Sequence, residues 1–234
     1  MKKETRAQEF KRKKKIHISD LSRYPCDRLL ALLYSGQWQE IRTPEEELRM
    51  RIGTVIHEME AKMEEEEAKE KGYILFVEEE LETPHLTGRA DRIRVFPDKG
   101  VIQIIDLKTM NCKLFSHFVV RPEMAKQVVL YKAMICYRKQ KFFKKLKKMG
   151  IEKDDWEVEC YIRPFCKCGI PSHYKNPKDY PVNADPKEAY EEAERRAINI
   201  IKALKSGGLP EKNPIYCNGC PARRACEGRK EVVL

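Results

Sequence analysis

In the run Ile104-Ile105-Asp106-Leu107-Lys108 an aspartate and a lysine stand two residues apart. On a strand that spacing puts both side chains on one face and Leu107 on the other. Upstream, Gly88-Arg89-Ala90-Asp91 carries a second carboxylate, and Pro97-Asp98-Lys99-Gly100 supplies a turn between the two segments. If the turn pairs them as neighbouring strands, Asp91 and Asp106 converge on one cation. Hard divalent ions such as magnesium and manganese favour oxygen ligands of this kind and keep open positions for water and phosphate. The chemistry is then phosphodiester hydrolysis. The metal polarises the phosphate and lowers the pKa of a bound water, while Lys108 orients that water or offsets charge on the phosphorane. His57, four residues after Gly53 on the preceding helix, could add a nitrogen ligand. Gln127 and Tyr131 are four apart and share a helix face. The glutamine could hold a phosphate or a metal-bound water, and the tyrosine could stack on a base.

Taken alone, Asp-x-Lys on a strand is usually an exposed ion pair, and a histidine in an apolar helix is usually a hydrogen-bonded core residue. The order of the pieces separates the two readings: a Gly-x-x-x-His helix, a Gly-x-x-Asp strand, an Asp-x-Lys strand, then Gln-x-x-x-Tyr on a helix.

A second chemistry lies at the chain ends. Cys217, Cys220 and Cys226 form a tight cluster with Cys-x2-Cys-x5-Cys spacing, and Cys26 in Tyr24-Pro25-Cys26 is the natural fourth thiolate. By ligand count the set suits a [4Fe–4S] cluster or a structural zinc equally well. Zinc sites more often pair two Cys-x-x-Cys knuckles, and this chain has one. Cys112, Cys136 and Cys160 fall in patterned segments and read as core residues. Cys166-Lys167-Cys168, with His173 nearby, lacks an obvious fourth ligand for a second metal.

The elements that must position these residues are legible in outline. Residues 1–15 hold eight Lys or Arg and read as a mobile basic arm or the frayed start of a helix. Residues 16–35 carry a short helical pattern. A long helix starts at Pro44, capped by Thr43 with Glu46 closing a capping box, and stops at Gly72. Leu48, Ile52, Val55, Ile56, Met59 and Met63 recur along it at helical spacing and are expected to be its buried face. Residues 73–82, 86–95 and 101–107 read as strands, and residues 122–143 as a second helix followed by a basic stretch at 144–148. Residues 156–163 read as a further strand, and 186–207 as a third helix. The order predicts an α/β domain, a mixed sheet flanked by helices.

The chain has 234 residues, 41% of them hydrophobic and 36% charged, with a net charge of +10. That length suits one domain, or one with an appended lobe. No apolar run approaches the ~20 residues of a membrane span, and no apolar segment follows the basic start, so a cytoplasmic protein without membrane association is expected. The positive charge suits a polyanionic partner, and equally a well-solvated, heat-stable surface.

Gly53-Thr54-Val55-Ile56-His57, Gly88-Arg89-Ala90-Asp91, Asp106-Leu107-Lys108 and the helix from Gln127 to Tyr131 together resemble the RecB-like branch of the PD-(D/E)XK nucleases. The resemblance implies the restriction-endonuclease-like fold, with His57, Asp91 and Asp106 binding manganese or magnesium. Leu107, which can ligate only through its main chain, joins that set. Lys108 is the catalytic lysine, and Gln127 and Tyr131 complete the site. The early cysteine plus the C-terminal three resemble the iron–sulfur subset of that branch, above all the CRISPR-associated RecB-like exonucleases (the Cas-four group). This implies an iron–sulfur lobe built from both termini and exonuclease action on single-stranded DNA, typically from a 5′ end. It also implies a role in spacer acquisition beside CRISPR integrase proteins. The expected organisation is a basic arm over 1–15, a nuclease domain over 16–208 and a cysteine segment over 209–234 packing with Cys26. A viral or host end-processing nuclease outside CRISPR, and a non-catalytic DNA-binding scaffold, are the alternatives. Oligomeric state is left open.

Overall fold

The computed structural model describes residues 5–137, 140–167 and 178–228. Two compact units form, one from Met1–Ile41, Thr83–Thr87 and Tyr190–Leu234, the other from Arg42–Glu82 and Gly88–Ala189.

The second unit is built on a mixed sheet flanked by helices. Strands β2 (Ile74–Glu82), β3 (Leu86–Phe96), β4 (Val101–Met110), β5 (Glu157–Cys166) and β6 (Tyr180–Pro181) follow in chain order, β1 belonging to the other unit. β2 pairs with β3, β3 runs antiparallel to β4, β4 parallel to β5, and β5 antiparallel to β6. The β3–β4 turn is the expected one, closed by Gly100 at φ 69°, a conformation that favours glycine. A parallel β4–β5 pair needs a crossover, and helix α6 (Pro122–Tyr137) lies within it. Helix α4 (Pro44–Lys71) lies on the face carrying Ile105 and Leu107, which pack with Ile56 and Phe165. α6 lies on the opposite face, where the Cys160 thiol meets the Val128 carbonyl.

Both ends of α4 match the sequence expectation. Thr43 and Glu46 form the capping box, and Gly72 ends the helix at φ 72°. Its buried face does not match. Gly53, Ile56, Glu60, Ala61, Glu64 and Ala68 are buried, whereas Leu48, Ile52, Val55, Met59 and Met63 are exposed. Buried charge explains the reversal. Glu64 is paired with Arg92, Arg94 and Arg163, so an ionic network occupies the place an apolar stripe would fill. Small residues let the helix come close: a Cβ at Gly53 would sit 2.8 Å from Thr109 Oγ1. The predicted helix over 122–143 is also divided, because α6 ends at Tyr137 and a separate helix, α7 (Lys141–Lys148), begins after it.

In the first unit the basic start is a docked helix, α1 (Arg6–Lys13), with a Thr5/Gln8 capping box. Phe10 is buried, its ring 5.6 Å from Tyr34 in an edge contact, and Arg6 pairs with Asp20 at 2.9 Å. Of the two expectations for this segment, these contacts match the start of a helix. The two-residue β1 (Ile16–His17) pairs in parallel with Leu86 and Thr87. Helices α2 (Ile18–Arg23), α3 (Asp27–Ser35) and α8 (Pro186–Lys205) are held by the nearly buried Arg196. Its guanidinium donates to Asp27 Oδ1 at 2.7 Å, Leu21 O at 2.9 Å and Tyr24 O at 2.7 Å. Among the described residues no helix is long and apolar enough to cross a membrane.

Candidate active site

The paired register of β3 with β4 ends at Arg92↔Ile105, one pair short of the two aspartates. Beyond it the Leu107 N–H donates to Asp91 Oδ2 at 2.7 Å, a side chain taking the place of a ladder carbonyl. Asp106 and Lys108 share a face as the alternation requires, with Lys108 Nζ 2.6 Å from Asp106 Oδ2. That oxygen is buried and, among the described residues, has no partner with hydrogen-bond geometry. Lys108 Nζ also donates to Gln127 Oε1 at 3.1 Å, Gln127 Nε2 donates to the Tyr131 hydroxyl at 3.3 Å, and that hydroxyl donates to Arg89 O at 2.6 Å. The tyrosine ring is only 2% exposed, so the expected base stacking is not available to it. Gln127 and Tyr131 instead form a relay that fixes the ammonium.

His57 reaches the same place from α4. One donor atom each of His57, Glu78 and Asp91 lie within 4.8 Å of one another. Glu78 escaped the sequence reading. It sits inside β2 at φ 53°, a left-handed conformation that costs a non-glycine residue roughly 1 kcal/mol and re-aims its side chain. Its sequence trace is a glutamate run, Glu78-Glu79-Glu80, after the apolar start of the strand. Arg89 Nε pairs with Glu78 Oε2 at 2.6 Å.

A buried arginine connects the ligands. Arg92, wholly inaccessible, donates to His57 O at 2.6 Å, to Asp91 O at 2.7 Å and to Glu64 Oε2 at 3.2 Å. It therefore ties the main chains of two candidate ligands to one carboxylate on α4.

The electrostatics suit a cation. Burial, then the neighbouring Asp106 charge, pushes the Asp91 carboxyl up to about 8. Asp106 is raised by burial against the pull of Lys108. Burial pulls the Lys108 ammonium down, but Asp106 and Asp91 outweigh it and hold the group above its usual value. His57 is lowered to about 4 by burial and by Arg92, Lys108 and Lys167, so it stands neutral, with a lone pair to give. The donors that converge are one imidazole and two carboxyls, those of His57, Glu78 and Asp91, and among the described residues the Asp106 carboxylate is not part of that group. The donor set fits a divalent ion of the magnesium or manganese type.

The four candidate cluster cysteines meet in the first unit. Cys26, Cys217, Cys220 and Cys226 line one pocket, whose floor includes Leu29, Leu32 and Ala222. Arg28 Nε donates to Cys226 Sγ at 3.1 Å and Nη1 to Pro210 O at 3.0 Å. Among the described residues no three of these sulfurs lie within 4.8 Å of one another. Of the three cysteines expected in the core, Cys160 is buried, but Cys112 and Cys136 are exposed. Helix boundaries account for both, since Cys112 opens the short helix α5 (Cys112–Ser116) and Cys136 falls at the end of α6. Cys112 Sγ instead lies 3.2 Å from Cys166 Sγ. Cys168 and His173, weighed for a second metal, lie outside the described residues. In the basic stretch, Lys145 pairs with Glu79 at 2.7 Å and Lys147 with Glu152 at 3.3 Å, so part of its charge is answered within the chain.

No curated protein matches the sequence. Among solved structures, an alkaline exonuclease from Laribacter hongkongensis is 14% identical, with 84% of this chain and 91% of that one covered at a TM-score of 0.49. A protein designated SSO0001 is also 14% identical, with 95% and 89% covered at a TM-score of 0.41. Likeness at that level defines neither a shared fold nor a shared activity. The family model for the PD-(D/E)XK nuclease superfamily matches residues 6–227, nearly the whole chain. With its acidic pair, its lysine and its mixed sheet, this chain belongs to the PD-(D/E)XK nuclease superfamily.

Proposed function

We propose that the chain is a metal-dependent DNA exonuclease acting on single strands, with Lys108 as its catalytic lysine. The observation that carries the proposal is the Lys108 ammonium, held 2.6 Å from Asp106 and 3.1 Å from Gln127. His57, Asp91 and Asp106 would hold the divalent ion, with Glu78 as a further ligand and Leu107 contributing through its main chain. Such an ion, when bound, polarises the phosphodiester and acidifies a water. The chain's own groups do the rest. Lys108 donates a hydrogen bond to the attacking water or to the phosphate oxygen that gains charge, and its raised pKa keeps it protonated for that task. Gln127 and Tyr131 keep the ammonium aimed. Neutral His57 and the Asp91 carboxylate would supply donors to the cation.

We further propose that Cys26, Cys217, Cys220 and Cys226 hold a [4Fe–4S] cluster. Zinc sites more often pair two Cys-x-x-Cys knuckles, and one knuckle with two single cysteines favours the iron–sulfur reading. This thiol set, and the family resemblance it carries, supports a 5′-directed exonuclease that trims DNA for spacer acquisition beside CRISPR integrase proteins.

The test is digestion of end-labelled single- and double-stranded DNA with manganese or magnesium, comparing wild type with Lys108→Ala. The account expects loss of cleavage of roughly a hundredfold or more with DNA binding retained. Equal cleavage by the variant removes the catalytic assignment.

A further inference from the structure

Along α4 the residues Leu48, Ile52, Val55, Met59 and Met63 recur at steps of four, three, four and four, and each is between 38% and 60% exposed. A helix rises ~1.5 Å per residue, so the stripe extends about 22 Å. It lies roughly a quarter-turn round the helix from the face that carries Gly53, Ile56, Glu60 and Glu64 into the sheet, and the described residues leave it largely open. Soluble proteins rarely leave a contiguous apolar helix face of this length in water. The 3-4 spacing is that of a seam between two helices rather than of a scattered surface.

The charges beside the stripe say what covers it. Glu47, Arg51, Glu58 and Lys62 line one flank at the same helical period and are exposed, with no ion-pair partner among the described residues. When two copies of α4 cross antiparallel with Val55 on the two-fold axis, Leu48 meets Met63 of the second copy and Ile52 meets Met59. In that register Arg51 faces Glu58 of the second copy, and Lys62 faces Glu47. Two-fold symmetry makes each contact twice. A parallel pairing in register places this flank against Ile56 and Met63 and makes no charge pair. Opposite charges at every flanking position are what a self-complementary surface requires and what a chance apolar patch lacks.

We propose that the protein forms an isologous homodimer through the exposed face of α4, antiparallel about Val55. The contact uses none of the residues assigned above to catalysis, and it stands whether or not the nuclease reading does.

The test is sedimentation velocity of the full-length protein across a concentration series, with circular dichroism to confirm the fold of each variant. The wild type is expected at twice the 27.5 kDa chain mass, and Ile52→Glu with Met59→Glu is expected as a monomer. Arg51→Glu alone, or Glu58→Arg alone, is expected to raise the dissociation constant roughly tenfold, since each breaks two symmetry-related pairs. The double swap Arg51→Glu with Glu58→Arg is expected to restore it. A wild type that stays monomeric at ~100 µM, far above ordinary homodimer dissociation constants, overturns the proposal. So does a dimer that survives Ile52→Glu with Met59→Glu, or one that the double swap fails to rescue.

Discussion

Replacing Arg92 with methionine tests whether the ligands depend on one buried guanidinium. Arg92 makes three hydrogen bonds from a site closed to solvent, to His57 O, Asp91 O and Glu64 Oε2. Methionine keeps the length and fills much of the volume, but it removes the Arg92 donors from two carbonyls and leaves Glu64 with less compensation. Removing one partner of a buried ion pair costs about 3–5 kcal/mol, because the remaining charge is stranded. Glu64 keeps Arg94, and Arg163 at 3.9 Å, which points to the lower end of that range. A loss of about 3 kcal/mol lowers the Tm of a chain this size by roughly 6–12 °C. Slackening the main chain at His57 and Asp91 also weakens the metal, by roughly tenfold or more. Arg92→Lys recovers little, since one ammonium cannot span three acceptors held in a planar fork. Thermal unfolding read by circular dichroism and manganese binding read by calorimetry measure the two effects separately. A Tm within about 2 °C of wild type, with manganese affinity unchanged, would show that Arg92 is not the strut the geometry describes.

Two further outcomes follow from titration and from the thiols. Asp91, ordinarily near 3.8, is raised to about 8 in the fold, so the metal-free protein is favoured with that carboxyl protonated. Its contribution to stability is complete below its unfolded value and is lost as pH rises through about 8. A cation must expel the proton, so manganese affinity should climb about tenfold per unit between pH 6 and 7, with a proton released on binding. His57, lowered to about 4, stays neutral throughout that window. Calorimetry in buffers of different ionisation enthalpy reads the proton, and a flat affinity contradicts the assignment. For the cluster, protein purified without oxygen should be brown with iron bound, and Cys26→Ser should lose both colour and thermal stability. A colourless, zinc-loaded sample would contradict the iron–sulfur assignment.

Local rules made much of this fold readable, and long-range compensation hid the rest. The Thr43/Glu46 box, Gly72 and the turn at Gly100 are short-range signals, and each element boundary they mark is close to its expected position. The alternation of Asp106, Leu107 and Lys108 is equally local and is realised in β4. The face of α4 was misread because hydrophobic periodicity assumes that apolar residues go inside. Here Arg92, Arg94 and Arg163, distant in sequence, make burial of Glu64 the better solution. Glu78 was hidden because its position depends on a left-handed residue within a strand, which sequence pattern does not announce. Tyr131 shares a helix face with Gln127 as its spacing requires, but its burial removes the expected stacking. Its spacing from Gln127 is a matter of helix geometry, but its burial depends on the Arg89 carbonyl across the fold.

The central claim is that His57, Asp91 and Asp106 address one divalent ion beside the Lys108 ammonium. Anomalous diffraction at the manganese edge, from crystals grown with manganese, tests it most directly. The account predicts a single strong peak within ligand distance of His57, Asp91 and Asp106, with Glu78 turned toward it. A peak elsewhere, or the two aspartates facing apart with the metal bound by neither, would contradict it.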